Sequence, residues 1–143
     1  MKTKFLILVS VVFLSACATF PVTQRNRSDL TEFMVGTWQG STYYPDEQVY
    51  YEWRIEFRKD GAYILRSANY FVKGVKQDDK TENGKWWVEG NKLFQVIPNL
   101  MEKPDIYELT ILSDDIIITH VVDLDEATLY SPKGKYFWEK RGN

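Results

Sequence analysis

Between Val49 and Arg58 every second residue is large and apolar: Val49, Tyr51, Trp53, Ile55 and Phe57 alternate with Tyr50, Glu52, Arg54, Glu56 and Arg58. A period of two puts one face on a core and the other in water, which is the pattern of a half-buried strand. Lys59-Asp60-Gly61 follows at once. Glycine tolerates positive φ, so this is a hairpin turn, and Ala62 to Lys73 returns beside the first strand. Gly84 to Glu89 and Lys92 to Ile97 flank a second hairpin signal, Gly90-Asn91. Asp105 to Leu112 and Ile116 to Val122 flank Ser113-Asp114-Asp115, and Pro98 to Pro104 interrupts the pattern between the pairs. Residues 74–83 are charged and lack an apolar period, so they read as a solvent loop, with Asp78-Asp79 and Asp114-Asp115 as turn residues.

Helical signals are confined to one place. Ser28-Asp29-Leu30-Thr31-Glu32 spaces Asp29 and Glu32 as a capping box, puts Leu30, Phe33 and Met34 on one face, and meets Gly36 as its stop. Thr37 to Tyr44 then opens the strands. A short strand near Thr128 to Tyr130, a turn at Pro132-Lys133-Gly134 and a strand from Lys135 to Arg141 close the chain. The reading is all-β: eight or nine short antiparallel strands behind one short N-terminal helix, forming a sandwich or an up-and-down barrel.

At the other end, Lys2 and Lys4 precede an apolar run from Phe5 to Cys17, too short for the ~20 residues of a membrane-spanning helix and suited to a signal peptide. Cys17 is the single cysteine, so no intramolecular disulfide is available to it. Leu14-Ser15-Ala16-Cys17 resembles the lipobox of bacterial lipoproteins. The resemblance implies a signal peptide over residues 1–16, lipidation of Cys17, a tether over residues 17–27, and a folded domain over residues 28–143. In that family an aspartate after the cysteine retains the protein at the inner membrane. Ala18 stands there, which implies the outer membrane and its periplasmic face. Loss of the first 16 of 143 residues, with their two lysines, leaves 127 residues and moves the net charge from −2 to −4. That length fits one domain, and the lack of a basic excess disfavours nucleic acid as a partner. The ten tether residues Ala18 to Arg27 reach at most ~35 Å, which keeps the domain near the bilayer, with Arg25 and Arg27 within reach of anionic headgroups.

Gly36-Thr37-Trp38, where the capped turn runs straight into a strand, resembles the Gly-x-Trp opening of lipocalins and related small barrels. Phe57 before Asp60-Gly61-Ala62-Tyr63, and Gly84-Lys85-Trp86 before Gly90-Asn91-Lys92-Leu93, resemble features of bacterial lipocalin-like lipoproteins. The likeness covers residues 30–141 and implies the up-and-down barrel. It also implies that Trp38 closes one end under a late cation, Arg141 or Lys140.

A barrel of about eight strands is either filled by side chains or holds one small ligand. Tyr51, Trp53, Phe57 and Trp86 are the inward aromatics and hence the candidate ligand-binding residues, and they leave room only at the end opposite Trp38. Tyr43, Tyr44 and Tyr50 are candidates for a mouth or a contact surface. Catalytic signals are lacking. The lone histidine, His120, shares a strand face with Ile116, Ile118 and Val122 and reads as a satisfied barrel residue. Asp123-Leu124-Asp125-Glu126 lacks the glycine and ligand spacing of a calcium loop and reads as a solvated acidic turn. No zinc spacing occurs, and no cofactor is expected. Two functions fit: a membrane-anchored, non-catalytic module binding a small apolar or amphipathic ligand, or a protein-interaction module for envelope assembly or enzyme inhibition.

Overall fold

Alternation and turn chemistry produce the expected strands. The computed structural model describes residues 27–71, 74–128 and 134–142, apart from the side chains of residues 27–29 and 77. Helix α1 (Arg27–Met34) is followed by β1 (Gly36–Tyr44), β2 (Val49–Phe57), β3 (Ala62–Phe71), β4 (Lys76–Glu89), β5 (Lys92–Val96), β6 (Asp105–Ser113), β7 (Ile116–Asp123) and β8 (Tyr136–Arg141). Each strand pairs antiparallel with the next, and β8 returns to β1 through Trp38↔Arg141, Gln39↔Lys140 and Gly40↔Glu139. The result is a closed up-and-down barrel of eight described strands, which leaves no sheet edge unpaired.

The inner faces meet in one core. Trp38, Ile55, Phe57, Tyr63, Trp86 and Val88 are buried there, and Leu30, Phe33 and Met34 of α1 lie over them at one end. Trp86 donates its indole N–H to the Arg58 carbonyl at 3.0 Å, pinning the β2–β3 hairpin to β4. That hairpin turns at Gly61, whose φ of +80° only glycine adopts without strain.

Several expectations need correction. Residues 76–83 are not a loop. They extend β4 to fourteen residues, pairing with β3 from Leu65↔Glu82 to Tyr70↔Lys76, with a bulge beside Asn69. The ladder is a backbone property, and at this open end both faces meet water, so no apolar period is required. Lys80 and Glu82 pair on the face that carries Trp86, and Lys76 pairs with Asp79. Asp78 and Asp79 are therefore strand residues, whereas Asp114 and Asp115 do form the β6–β7 turn. Thr128 is outside any strand, and residues 129–133, where the ninth strand and the Pro132-Lys133 turn were expected, lie outside the described residues. So do Cys17, Arg25 and the remainder of residues 1–26, together with the Asp29 side chain of the capping box.

His120 does share a face with Ile116, Ile118 and Val122, but the inward face is the other one, where Ile117, Thr119 and Val121 are buried. His120 lies outside, stacked on Tyr136 at 4.2 Å with Glu108 3.7 Å from its Nδ1. The acidic turn is not uniformly solvated either. Asp125 is buried and ties two loops together: Oδ2 accepts the N–H groups of Glu102 and Lys103, and Oδ1 accepts that of Ala127. Its own N–H donates to Asp105 at 2.7 Å. These bonds hold the Asp125 carboxyl below the usual range, while burial pushes that of Asp105 up.

Candidate functional site

The barrel is sealed at one end and hollow toward the other. Trp38 is fully buried at the sealed end, its indole N–H donating to the Met34 carbonyl at 2.9 Å. The Arg141 guanidinium stacks 4.4 Å from the Trp38 ring and donates to the carbonyls of Phe33 (2.8 Å), Val35 (3.1 Å) and Asp114 (3.2 Å). Lys140, the alternative closing cation, points outward in register with Gln39. Gly36 has φ +123°, and a Cβ there would come within 3.1 Å of the Arg141 guanidinium. The glycine of Gly-x-Trp is thus demanded twice, by backbone conformation and by the cation.

Beyond this seal the interior keeps a cavity of about 80 Å³. Tyr51, Trp53 and Phe57, all expected at the site, line it together with Leu65, Tyr107 and Phe137. Trp86 does not: it packs on Phe57, ring centres 4.9 Å apart, on the side away from the space. Trp53 stacks on Tyr51 at 5.6 Å and meets Phe137 edge-on at 5.3 Å. Gly40 makes this placement possible, since a Cβ there would run into the Trp53 ring and fall 2.8 Å from the Trp138 carbonyl.

The cavity also has a polar side that the sequence reading missed. Gln95, Thr119 and Glu139 face it. Glu139 is buried, accepts the Thr119 hydroxyl at 2.8 Å and is hydrogen-bonded by Trp53. Burial raises the Glu139 carboxyl above its ordinary range, and the two hydrogen bonds only partly offset this. The signal was present in the sequence: if Arg141 points inward, a period of two carries Glu139 and Phe137 inward with it. Tyr107 stands beside them, its phenol pushed well above the usual range by burial, then by the Asp105 charge.

At the far rim, Lys135 holds its ammonium 4.0 Å from the centre of the Tyr44 ring and 5.7 Å from that of Phe137. Tyr43 and Tyr50 stack on each other outside, ring centres 4.7 Å apart. The largest exposed aromatics are elsewhere on the outer wall: Tyr136 and Trp138 of β8, 63% and 62% exposed. Trp138 lines an open groove with Gln39, Arg54, Arg66 and Lys140. Among the described residues no group of three or more His, Cys, Asp or Glu is placed to hold a metal ion.

For this closed eight-stranded barrel, one comparison decides the family. A family model described as a lipocalin-like domain matches residues 34–117, from the end of α1 into β7. The chain belongs to the lipocalin-like domain family. The match holds Trp38, Tyr51, Trp53, Phe57 and Tyr107 of this lipocalin-like domain, but stops short of β8, which carries Phe137, Glu139 and Arg141. No curated protein matches the chain.

Proposed function

We propose that this lipocalin-like domain is a non-catalytic binding module, tethered to the cell envelope through a lipidated Cys17, that takes a small amphipathic molecule into the far end of its barrel. The observation that carries the reading is the cavity: an interior space, walled by aromatics, to which neither α1 nor Trp38 contributes a lining residue. Its volume of about 80 Å³ limits the ligand, one bound water needing ~10–15 Å³ of such space. A fatty acyl chain is too large, and only a compact molecule or the end of a longer one enters. Of the apolar and amphipathic ligands expected, an amphipathic one is favoured, because Glu139 and Thr119 put a polar side on the space.

The leader features support the anchoring, with Ala18 favouring the outer membrane. Burial of acyl chains, worth ~0.8 kcal/mol per methylene, makes two or three of them a lasting anchor. Native mass spectrometry of protein from its own envelope is the test: a retained small adduct supports binding, and a Cys17→Ser chain that still fractionates with membranes at mature mass refutes the anchor. One observation favours the interaction-module alternative, the exposure of Tyr136 and Trp138. Co-purification of a stoichiometric protein, lost on Trp138→Ala, would favour that alternative.

A further inference from the structure

A carboxyl inside a lipocalin-like barrel is costly. Glu139 occupies a β8 position between Phe137 and Arg141 where an apolar side chain would fill the core, and it is buried. A carboxylate offers about four acceptor sites, of which Thr119 and Trp53 use two. Among the described residues no cation pairs with it. Lys135, which also faces the aromatic wall, is held at the rim over Tyr44 and Phe137. A buried carboxyl without a countercharge either stays protonated or waits for a cation from outside.

The rest of the wall has the matching chemistry. Tyr51, Trp53, Tyr107 and Phe137 present ring faces and edges around the same space. Ring faces are electron-rich and attract ammonium groups, most strongly where water is excluded. The chain already uses this surface so: the Lys135 ammonium lies 5.7 Å from the centre of the Phe137 ring, which lines the space together with Glu139. A carboxylate ligand entering head first would meet Glu139 as a like charge. An alkyl ligand would leave a Glu139 carboxylate without a countercharge.

We propose that the barrel interior is a receptor for a small organic cation, a primary ammonium whose charge is met by Glu139 and whose carbon stem lies against Trp53 and Phe137. This rests on the binding-module reading above and deepens it by naming the ligand class. Lys135 then acts as a rim group that the incoming ammonium displaces from the same aromatic wall.

The test uses three probes of one length, n-butylammonium, 1-butanol and butanoate, titrated into the full chain in non-ionic detergent at constant ionic strength. Tryptophan fluorescence and amide and indole NMR shifts are read, with Trp53 as the local reporter. The expected order is ammonium over alcohol over carboxylate, with at least tenfold between the first two. Glu139→Gln should reduce that preference to less than threefold. Equal affinity for all three, or a preference for butanoate, overturns the ammonium assignment but leaves a binding cavity. Absence of any response to all three overturns the cavity reading itself. Should Glu139→Gln fail to fold, the probe series on the unaltered chain still decides. Lys135→Gln, which removes the competing ammonium at the rim, should raise n-butylammonium affinity, and an unchanged affinity overturns the displacement step.

Discussion

The seal at Trp38 and Arg141 makes a quantitative prediction. Trp38 has no exposed surface, so Trp38→Ala leaves a cavity at the centre of the plug, and such truncations cost ~3–5 kcal/mol. Arg141 reaches three carbonyls, those of Phe33, Val35 and Asp114, and hydrogen bonds to a charged donor contribute ~1.5–3 kcal/mol each when fully buried. The Arg141 side chain is 29% exposed, so water replaces part of this on truncation. With ~0.5–2 kcal/mol for the stack on Trp38, Arg141→Ala should cost about 2–4 kcal/mol. That exceeds what a cation–π contact alone supplies, because the guanidinium also terminates α1. Arg141→Lys keeps the charge but not the fork, and should recover less than half of the loss. The double variant should lose ~0.5–2 kcal/mol less than the sum of the singles. Urea unfolding followed by far-UV circular dichroism measures all four stabilities without relying on the tryptophan that is removed. If Trp38→Ala is too unstable to fold, Trp38→Phe, which loses the bond to the Met34 carbonyl, completes the cycle. Losses that add to within ~0.3 kcal/mol, or an Arg141→Lys chain as stable as the parent, would refute the account of the seal.

Three further outcomes are expected. Gly40→Ala should displace Trp53, cost ~1–3 kcal/mol and shift the tryptophan emission, whereas unchanged emission would mean that the indole does not lie on β1. Glu139 holds its proton more tightly folded than unfolded, so the parent should lose stability relative to Glu139→Gln as pH rises from about 4.5 to the raised folded value, and then level off. A stability difference between the two that is flat from pH 4 to pH 8 would contradict a buried carboxyl. Asp125, whose folded value is lowered, works in the opposite sense: its contribution is present above the ordinary carboxyl range and is lost as pH falls through the folded value. Asp125→Asn should accordingly speed amide exchange at Glu102, Lys103 and Ala127, and unchanged protection there would rule out the two-loop clamp.

By itself the sequence determined the class of fold. Alternation in β2, the Asp60-Gly61 and Gly90-Asn91 turns and the Gly36-Thr37-Trp38 junction are local features, and local backbone preference fixes strands, hairpins and the end of α1 without knowledge of distant residues. The resemblance to lipocalins narrowed the cation closing over Trp38 to Arg141 or Lys140, and the structure puts Arg141 there. Tertiary structure alone decided three things. It extended β4 through Lys76 to Asn83, since a neighbouring strand rather than an apolar period orders that backbone. It chose between the two faces of β7, which both carry apolar residues, and so put His120 outside and Thr119 inside. It also brought Asp125 under the turn at Glu102 and Lys103, more than twenty residues away in the chain, where backbone N–H groups take the place of water around the carboxylate. An alternating pattern states that a strand has two faces, and only the closure of the barrel states which of them is the inside.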